Sequence, residues 1–177
     1  MISNVNVKIK IELKELTLLD VNKTYKDWMN DFEIFKFSKQ SNEKHTIKKI
    51  KEFVLNKKNS RNEFLYKIII NENKKIRHIG NIKLGPINTE NKTADISYFI
   101  GDRNYWNKGI ATEAIKQIII LAKKKFKLKK LQAGHWKQNV GSKKVLLKNK
   151  FKLEGVLKSQ IKTKKGRIDR YLYGLII

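Results

Sequence analysis

The sequence predicts an α/β domain, on three observations. Short runs rich in β-branched residues alternate along the chain with stretches of helical period. One of those runs, ADISYFIG at 94–101, passes through a glycine-containing turn into a long apolar helix. With 177 residues, 40% hydrophobic and 10% aromatic, the chain has material for one core, so 1–177 reads as a single domain.

The elements follow in order. Val7 to Leu18 (VKIKIELKELTL) alternates apolar and polar residues and reads as a first strand. Asp20 is the expected N-cap of a helix over roughly 21–29, and WMNDFEIFKFS (28–38) reads as helix, break, short helix. Ile47, Ile50, Phe53 and Val54 recur at helical spacing within 46–55. Residues 64–70 form a strand, and ENKK (72–75) turns into the next, 76–84. Gly85-Pro86 should end that strand, because Pro cannot donate to a ladder. A strand over 93–101 precedes a helix from about Ile110 to Lys125, where Ala114, Ile115, Ile118 and Ala122 form an apolar stripe. A strand over 131–136 and a helix over 142–149 follow. Residues 151–162 and 167–176 close the chain as a hairpin turned at Lys164-Lys165-Gly166.

Composition bounds the function. The net charge is +25, yet only five of the 41 basic residues are Arg (61, 77, 103, 167, 170) and 36 are Lys. Arg is preferred for reading bases and for gripping phosphate with two bonds. The lysines are spread along the chain as on a solvated surface. Lys, Asn and Ile share A/T-rich codons, so much of the charge reads as base composition and the rest as a preference for anionic partners. A nucleic-acid-binding protein without chemistry stays a remote alternative. Lack of Cys excludes disulfides and thiolate chemistry. His45, His78 and His135 lack ligand spacing, so no metal is expected. No apolar run nears the ~18 residues that span a bilayer, and the N-terminal residues alternate instead of forming a signal peptide. A cytoplasmic protein with no membrane partner is expected.

The chemistry is carried by NYWNKGIATEA, 104–114. A strand that turns through a glycine into a helix aims several backbone N–H groups at one small volume. The helix dipole makes that volume favourable for negative charge, which suits a pyrophosphate. In its residues the stretch resembles the GCN5-related N-acetyltransferase (GNAT) superfamily, whose acetyl-CoA loop reads Gln/Arg-x-x-Gly-x-Gly/Ala. Trp106-Asn107-Lys108-Gly109-Ile110-Ala111 matches at Gly109 and Ala111. Trp106 stands where Gln or Arg is usual, and Asn107 replaces a frequent Gly. The form YWxKGxATEA is similar to the branch holding ribosomal-protein N-terminal acetyltransferases and many amino-sugar acetyltransferases. A second stretch, NVGSKKVLLKNKFKLEG (139–155), is similar to that branch's N-x-x-S…K-x-G-F-x-x-E-G, with Asn149-Lys150 for the usual Lys-Gly. The resemblance implies a mixed, twisted sheet with helices on both faces, whose two central strands splay apart to admit acetyl-CoA.

By the same resemblance, Trp106, Asn107, Lys108, Gly109, Ile110, Ala111, Thr112 and Asn139 hold acetyl-CoA as cosubstrate. Ser142 lies near the thioester sulfur, where a hydroxyl stabilises the departing thiolate; no Tyr occurs between 139 and 150 to do so. The plainer readings are an ordinary strand–helix turn, and Asn139 as a helix N-cap. An amine attacks only when neutral, so a base or an ordered water must take a proton. Asp95, on one strand face with Ser97, and His135, whose type titrates near neutrality, lead the candidates. Glu90, His78 and Asp169 follow, while Glu113 better suits the role of a first-turn acid. Trp28, Asn30, Asp31 and Ser97 are candidates for the acceptor side. Trp28 and Phe37 also read as core, Asp31 as a cap, and Tyr171 and Tyr173 as strand packing.

The reaction implied is direct attack of an amine on the thioester carbonyl, polarised by a backbone N–H near 131–136, without a covalent enzyme intermediate. HIGNIKLGPIN (78–88) and WMNDFEIFKF (28–37) resemble acetyltransferases of surface-polysaccharide pathways, so an amino sugar, free or nucleotide-linked, is the expected acceptor. N-terminal acetylation of a ribosomal or other protein is the alternative, although VLKSQIKTKK (156–165) lacks the carboxylate that some ribosomal-protein acetyltransferases use. Polyamines are disfavoured, since only 16 carboxylates exist chain-wide. The resemblance also brings a homodimer as a candidate assembly.

Overall fold

The computed structural model describes residues 10–72 and 75–177. The strand start expected at Val7, and residues 73–74 of the expected turn, lie outside them. β1 (Ile11–Glu15), α1 (Lys23–Met29), α2 (Phe32–Phe35) and α3 (Ile47–Lys58) precede three strands, β2 (Phe64–Glu72), β3 (Lys75–Asn88) and β4 (Thr93–Ile100). Then come α4 (Ile110–Lys124), β5 (Lys130–Trp136), α5 (Val140–Lys148), β6 (Lys152–Thr163) and β7 (Gly166–Ile176). The sheet order is β1-β2-β3-β4-β5-β7-β6. Every neighbouring pair is antiparallel except β4 and β5. A parallel pair needs a crossover, and α4 supplies it.

That parallel contact is short. β4 and β5 pair at Thr93–Lys130, Ala94–Leu131 and Asp95–Gln132, and there the ladder stops. Each strand then follows its other neighbour: β4 stays on β3 as far as Ile100–Gly80, and β5 stays on β7 as far as Trp136–Arg170. Sheet twist carries the two apart, so residues 96–100 and 133–136 bound a wedge-shaped gap.

Strand alternation gives the sheet two unlike faces. Ala94 and Ile96 of β4, with Leu131 and Ala133 of β5, pack in the main core with Ala114, Ile115, Ile118 and Ala122 of α4. Those four α4 residues are completely buried, and burying each Ile contributes about 1.5–3 kcal/mol. The opposite face carries a smaller cluster, in which Leu16, Val21, Tyr25, Ile50 and Val54 pack with Leu65 and Phe99 of the sheet.

Two local expectations are corrected. Asp20 is not a helix N-cap: it closes a 3-10 turn (Leu18–Asp20), and Asn22 caps α1 by accepting from the Tyr25 N–H at 3.0 Å. The Asp20 carboxylate accepts instead from Thr17 and, at 2.6 Å, from Lys67 on β2. Gly85-Pro86 does not end β3. The register jumps from Leu84–Ile96 to Ile87–Ala94, so the dipeptide sits in a bulge and the strand continues to Asn88. A bulge removes the need for a ladder donor at Pro86.

Candidate functional site

The loop between β4 and α4 is shaped by its backbone. Gly109 is the N-cap residue of α4 at φ 78°, with no side-chain hydrogen bond closing the helix mouth. A Cβ placed on Gly109 would meet no atom within 4 Å, so the space before the first-turn amides is open. Asn107 is also left-handed (φ 60°), as its tolerance for that region allows. The Trp106 indole N–H donates to the Ile100 carbonyl at 2.9 Å, fastening the loop to the end of β4. Lys108 lies over the Tyr105 ring at 5.3 Å. The Asn149 amide donates to the Thr112 carbonyl at 3.2 Å and so ties the start of α4 to the end of α5. An open, uncapped amide cluster at the head of a 15-residue helix fits a diphosphate.

Across the gap, α5 begins directly after β5. Asn139 caps it, accepting from the Ser142 N–H at 3.0 Å, and the Asn139 N–H donates to the Trp136 carbonyl at 2.8 Å. The Ser142 hydroxyl bonds the Tyr98 hydroxyl at 3.0 Å. This contact spans the wedge, from β4 on one lip to α5 on the other. Burial pushes the Tyr98 pKa up to about 12, so its hydroxyl keeps its proton at neutral pH. The tyrosine that α5 lacks has a counterpart in position on β4.

His135 is buried on the Tyr98 side of the sheet, stacked between Tyr171 (5.6 Å between rings) and Tyr173 (5.3 Å). Its Nδ1 contacts the Trp136 carbonyl at 2.8 Å. A carbonyl only accepts, so Nδ1 carries a proton, and whenever the ring is neutral Nε2 presents the lone pair. Nε2 has no partner in the structure.

On the other face the gap opens into a cavity of about 780 Å³. Ser97 and Phe99 of β4 and Gly134 and Trp136 of β5 form part of its floor; Tyr25, Phe35 and Phe37 are among its aromatic lining. Asn81 of β3 is buried and also lines it. His78 Nε2 lies 2.7 Å from Asn81 Oδ1 and 3.0 Å from the Gly80 carbonyl, both acceptors, so it carries a proton there. Burial lowers the His78 pKa, which keeps that ring neutral. The Asn81 Nδ2 remains a buried donor without a partner.

The candidate residues thus separate. Ser97, His135, Asn139 and Ser142 line the cavity or the gap. Asp95 is exposed and paired with Gln132, short of the divergence, and does not line the cavity. Trp28, Asn30 and Asp31 are engaged in holding the roof. Trp28 packs against Gly101, where a Cβ would overlap its indole, and beside His78 and Phe99. Asn30 exchanges two hydrogen bonds of 2.9 Å with the His45 backbone. Asp31 caps α2 and pairs with Arg103 at 3.2 Å. Asp169 accepts from the Ser159 N–H and lies 3.6 Å from Lys158. Tyr98, Asn81 and Arg170 also line the cavity, and the sequence did not single them out. Period-2 alternation put Tyr98 opposite Ser97, which was the available signal for it.

Among the described residues no group of three or more His, Cys, Asp or Glu side chains is arranged to hold a metal, and no helix is long and apolar enough to cross a membrane.

Known proteins share this architecture. A Bacillus licheniformis protein, uncharacterized N-acetyltransferase p20, is 33% identical over 111 residues, 63% of this chain and 61% of that one. The match thus spans less than two thirds of that relative's length. The microcin C7 self-immunity acetyltransferase MccE, solved with acetyl-CoA and AMP, superposes with a TM-score of 0.81 at 23% identity, over 95% of this chain and 93% of its own. Spermidine N-acetyltransferase from Vibrio cholerae, solved with CoA and spermine, does so with 0.81 at 17% identity, over 94% and 95%. At these identities the two structures establish the fold. Residues 10–152 match the acetyltransferase (GNAT) domain, and with the split sheet and the open helix mouth just described, the chain belongs to the GNAT acetyltransferase family.

Proposed function

We propose that this protein transfers an acetyl group from acetyl-CoA to a primary amine. The observation that carries the reading is the three-pair β4–β5 ladder. It leaves a gap with an open anion-binding helix mouth beyond β4 and a roofed cavity on the far face. The first-turn amides of α4 around Gly109 hold the diphosphate, with Asn107 and Lys108 beside them. Acetyl-CoA supplies the thioester, an acyl group on a good leaving group. The chain's own residues arrange the rest. The open edge of β5 offers backbone N–H groups to the carbonyl oxygen, where charge develops. Ser142, held by Tyr98, hydrogen-bonds the departing sulfur. In its neutral form the His135 ring takes the amine proton at Nε2 through an ordered water, since Nε2 itself is buried. Asp95 drops from that role because of where it sits.

The acceptor is an amino sugar, free or nucleotide-linked. The aromatic lining suits a sugar ring, and Glu43 is the one carboxylate among the residues lining the cavity. A polyamine would need more than one. The test is twofold. Millimolar acetyl-CoA should raise the melting temperature through mass action, and thiol release should follow addition of UDP-amino sugars in preference to N-terminal peptides or spermidine. A melting curve indifferent to acetyl-CoA would refute the transfer reaction; release with peptides alone would move the acceptor to protein N-termini.

A further inference from the structure

Arginine is scarce here, five residues against 36 Lys, so the position of each is informative. Arg103 is engaged by Asp31 at 3.2 Å and Arg167 by the Ser159 carbonyl at 3.0 Å. Arg61, Arg77 and Arg170 have no ion pair and no side-chain hydrogen bond among the described residues, and of these three Arg170 is the one that lines the cavity. It lies on β7 opposite Trp136 of β5 and lines the acceptor cavity. Its guanidinium rests against Gly134, where a Cβ would come within 3.0 Å of Nε and 3.1 Å of Nη2. The missing side chain at 134 is what gives the guanidinium its seat on β5. The other charges on the cavity wall leave it cationic: Lys39 and Lys49 line it with Glu43 as the one carboxylate, and Lys83 is already held by Glu63 at 2.6 Å.

We propose that Arg170, seated on Gly134, is an oxyanion clamp that selects acceptor amines also carrying a phosphate or a carboxylate. The proposal rests on the acceptor reading above and narrows it. A guanidinium fork meets two oxygens of one oxyanion at once, which an ammonium does not. Trp136, its partner across the β5–β7 ladder, sets an aromatic ring on the same wall of the cavity.

The experiment compares glucosamine, glucosamine 6-phosphate, UDP-glucosamine and glucosaminic acid as acceptors at saturating acetyl-CoA, for wild type, R170Q and G134A. Wild type should favour at least one anionic amine over glucosamine by about tenfold in kcat/KM. R170Q should collapse that ratio, and G134A, which keeps the charge but displaces it, should lower it in part. The phosphate and carboxylate arms identify the oxyanion. An equal kcat/KM for charged and neutral amines, or a ratio that R170Q leaves intact, overturns the clamp. Calorimetry of the CoA-saturated protein with the same four compounds covers the case of no turnover. Arg170-dependent binding of an anionic amine without turnover supports the clamp and refutes acetyl transfer to that acceptor. Turnover without anion preference does the reverse, and no binding of any anionic amine overturns the clamp.

Discussion

The two sides of the gap are built in different materials. The β4–α4 loop, residues 103–112, where we propose acetyl-CoA binds, presents backbone: a left-handed glycine, a left-handed asparagine and an uncapped helix mouth. The cavity roof, residues 22–45, on the side proposed for the acceptor, is held by side chains at each turn. Asn22, Asp31 and Ser38 cap successive elements, Asn30 grips the His45 backbone, and Trp28 fills the space over Gly101. A site made of amides depends on conformation and tolerates many side chains. A site made of side chains changes its preference with each substitution. On the proposed assignment, that difference would let the donor site persist while the acceptor site varies.

The sharpest way to break the contrast is G109V. The new Cβ has room, so any loss comes from the φ of 78°, which costs an L-residue about 1–2 kcal/mol and a β-branched one more. Efficiency with acetyl-CoA should fall about 100-fold, and the melting shift with acetyl-CoA should vanish; an intact shift would show that the glycine is dispensable. Next is S142A, expected to slow kcat about 30-fold. Y98F should cost about fivefold alone and little once Ser142 is gone. Additive losses in that double-mutant cycle would mean that the hydroxyls act separately. On the roof, W28A should remove about 2 kcal/mol of stability by denaturant melts and raise KM for the acceptor, with KM for acetyl-CoA hardly moved. Equal shifts in both would merge the two regions.

The smallest effect is set by pH. Burial raises the Glu63 pKa, but hydrogen bonds from Lys57 and Lys83 outweigh it and hold the carboxyl below its usual range. Its folded pKa being depressed, the group adds stability above the ordinary carboxylate pKa and loses it as pH falls through the folded value. Chemical denaturation of wild type and E63Q should therefore differ by about 1 kcal/mol at pH 7 and converge in acid; a constant difference would assign the effect to packing.

The same contrast explains what the sequence made legible. The loop could be read because one glycine between an apolar strand and an apolar helix has few alternative uses. The roof could not, because Asn30, Asp31 and Trp28 look alike as ligands or as braces until their neighbours are known. Trp28 needed Gly101, 73 positions away, to reveal its task. Tyr98 was hidden for a similar reason: which hydroxyl meets Ser142 depends on how far two strands diverge. The β3 bulge at Gly85-Pro86 depends on pairing with β4, which local propensity does not encode. At the end of α5, by contrast, a local departure is absorbed in place. Lys150 takes φ 65° where the family usually has Gly, and its N–H bonds the Leu147 carbonyl at 2.9 Å. The Phe151 N–H reaches the Leu146 carbonyl at 3.1 Å, completing a Schellman turn around two fully buried side chains.

Three rungs are a meagre seam for joining a four-strand panel to a three-strand one. Beyond them the backbone edges of both panels stand ready for partners that no other described strand supplies. An elongated guest with peptide-like groups of its own can take up those vacant rungs as a borrowed strand. Occupancy and stiffening are then a single event, and amide exchange along 96–100 and 133–136 should slow together when the guest arrives.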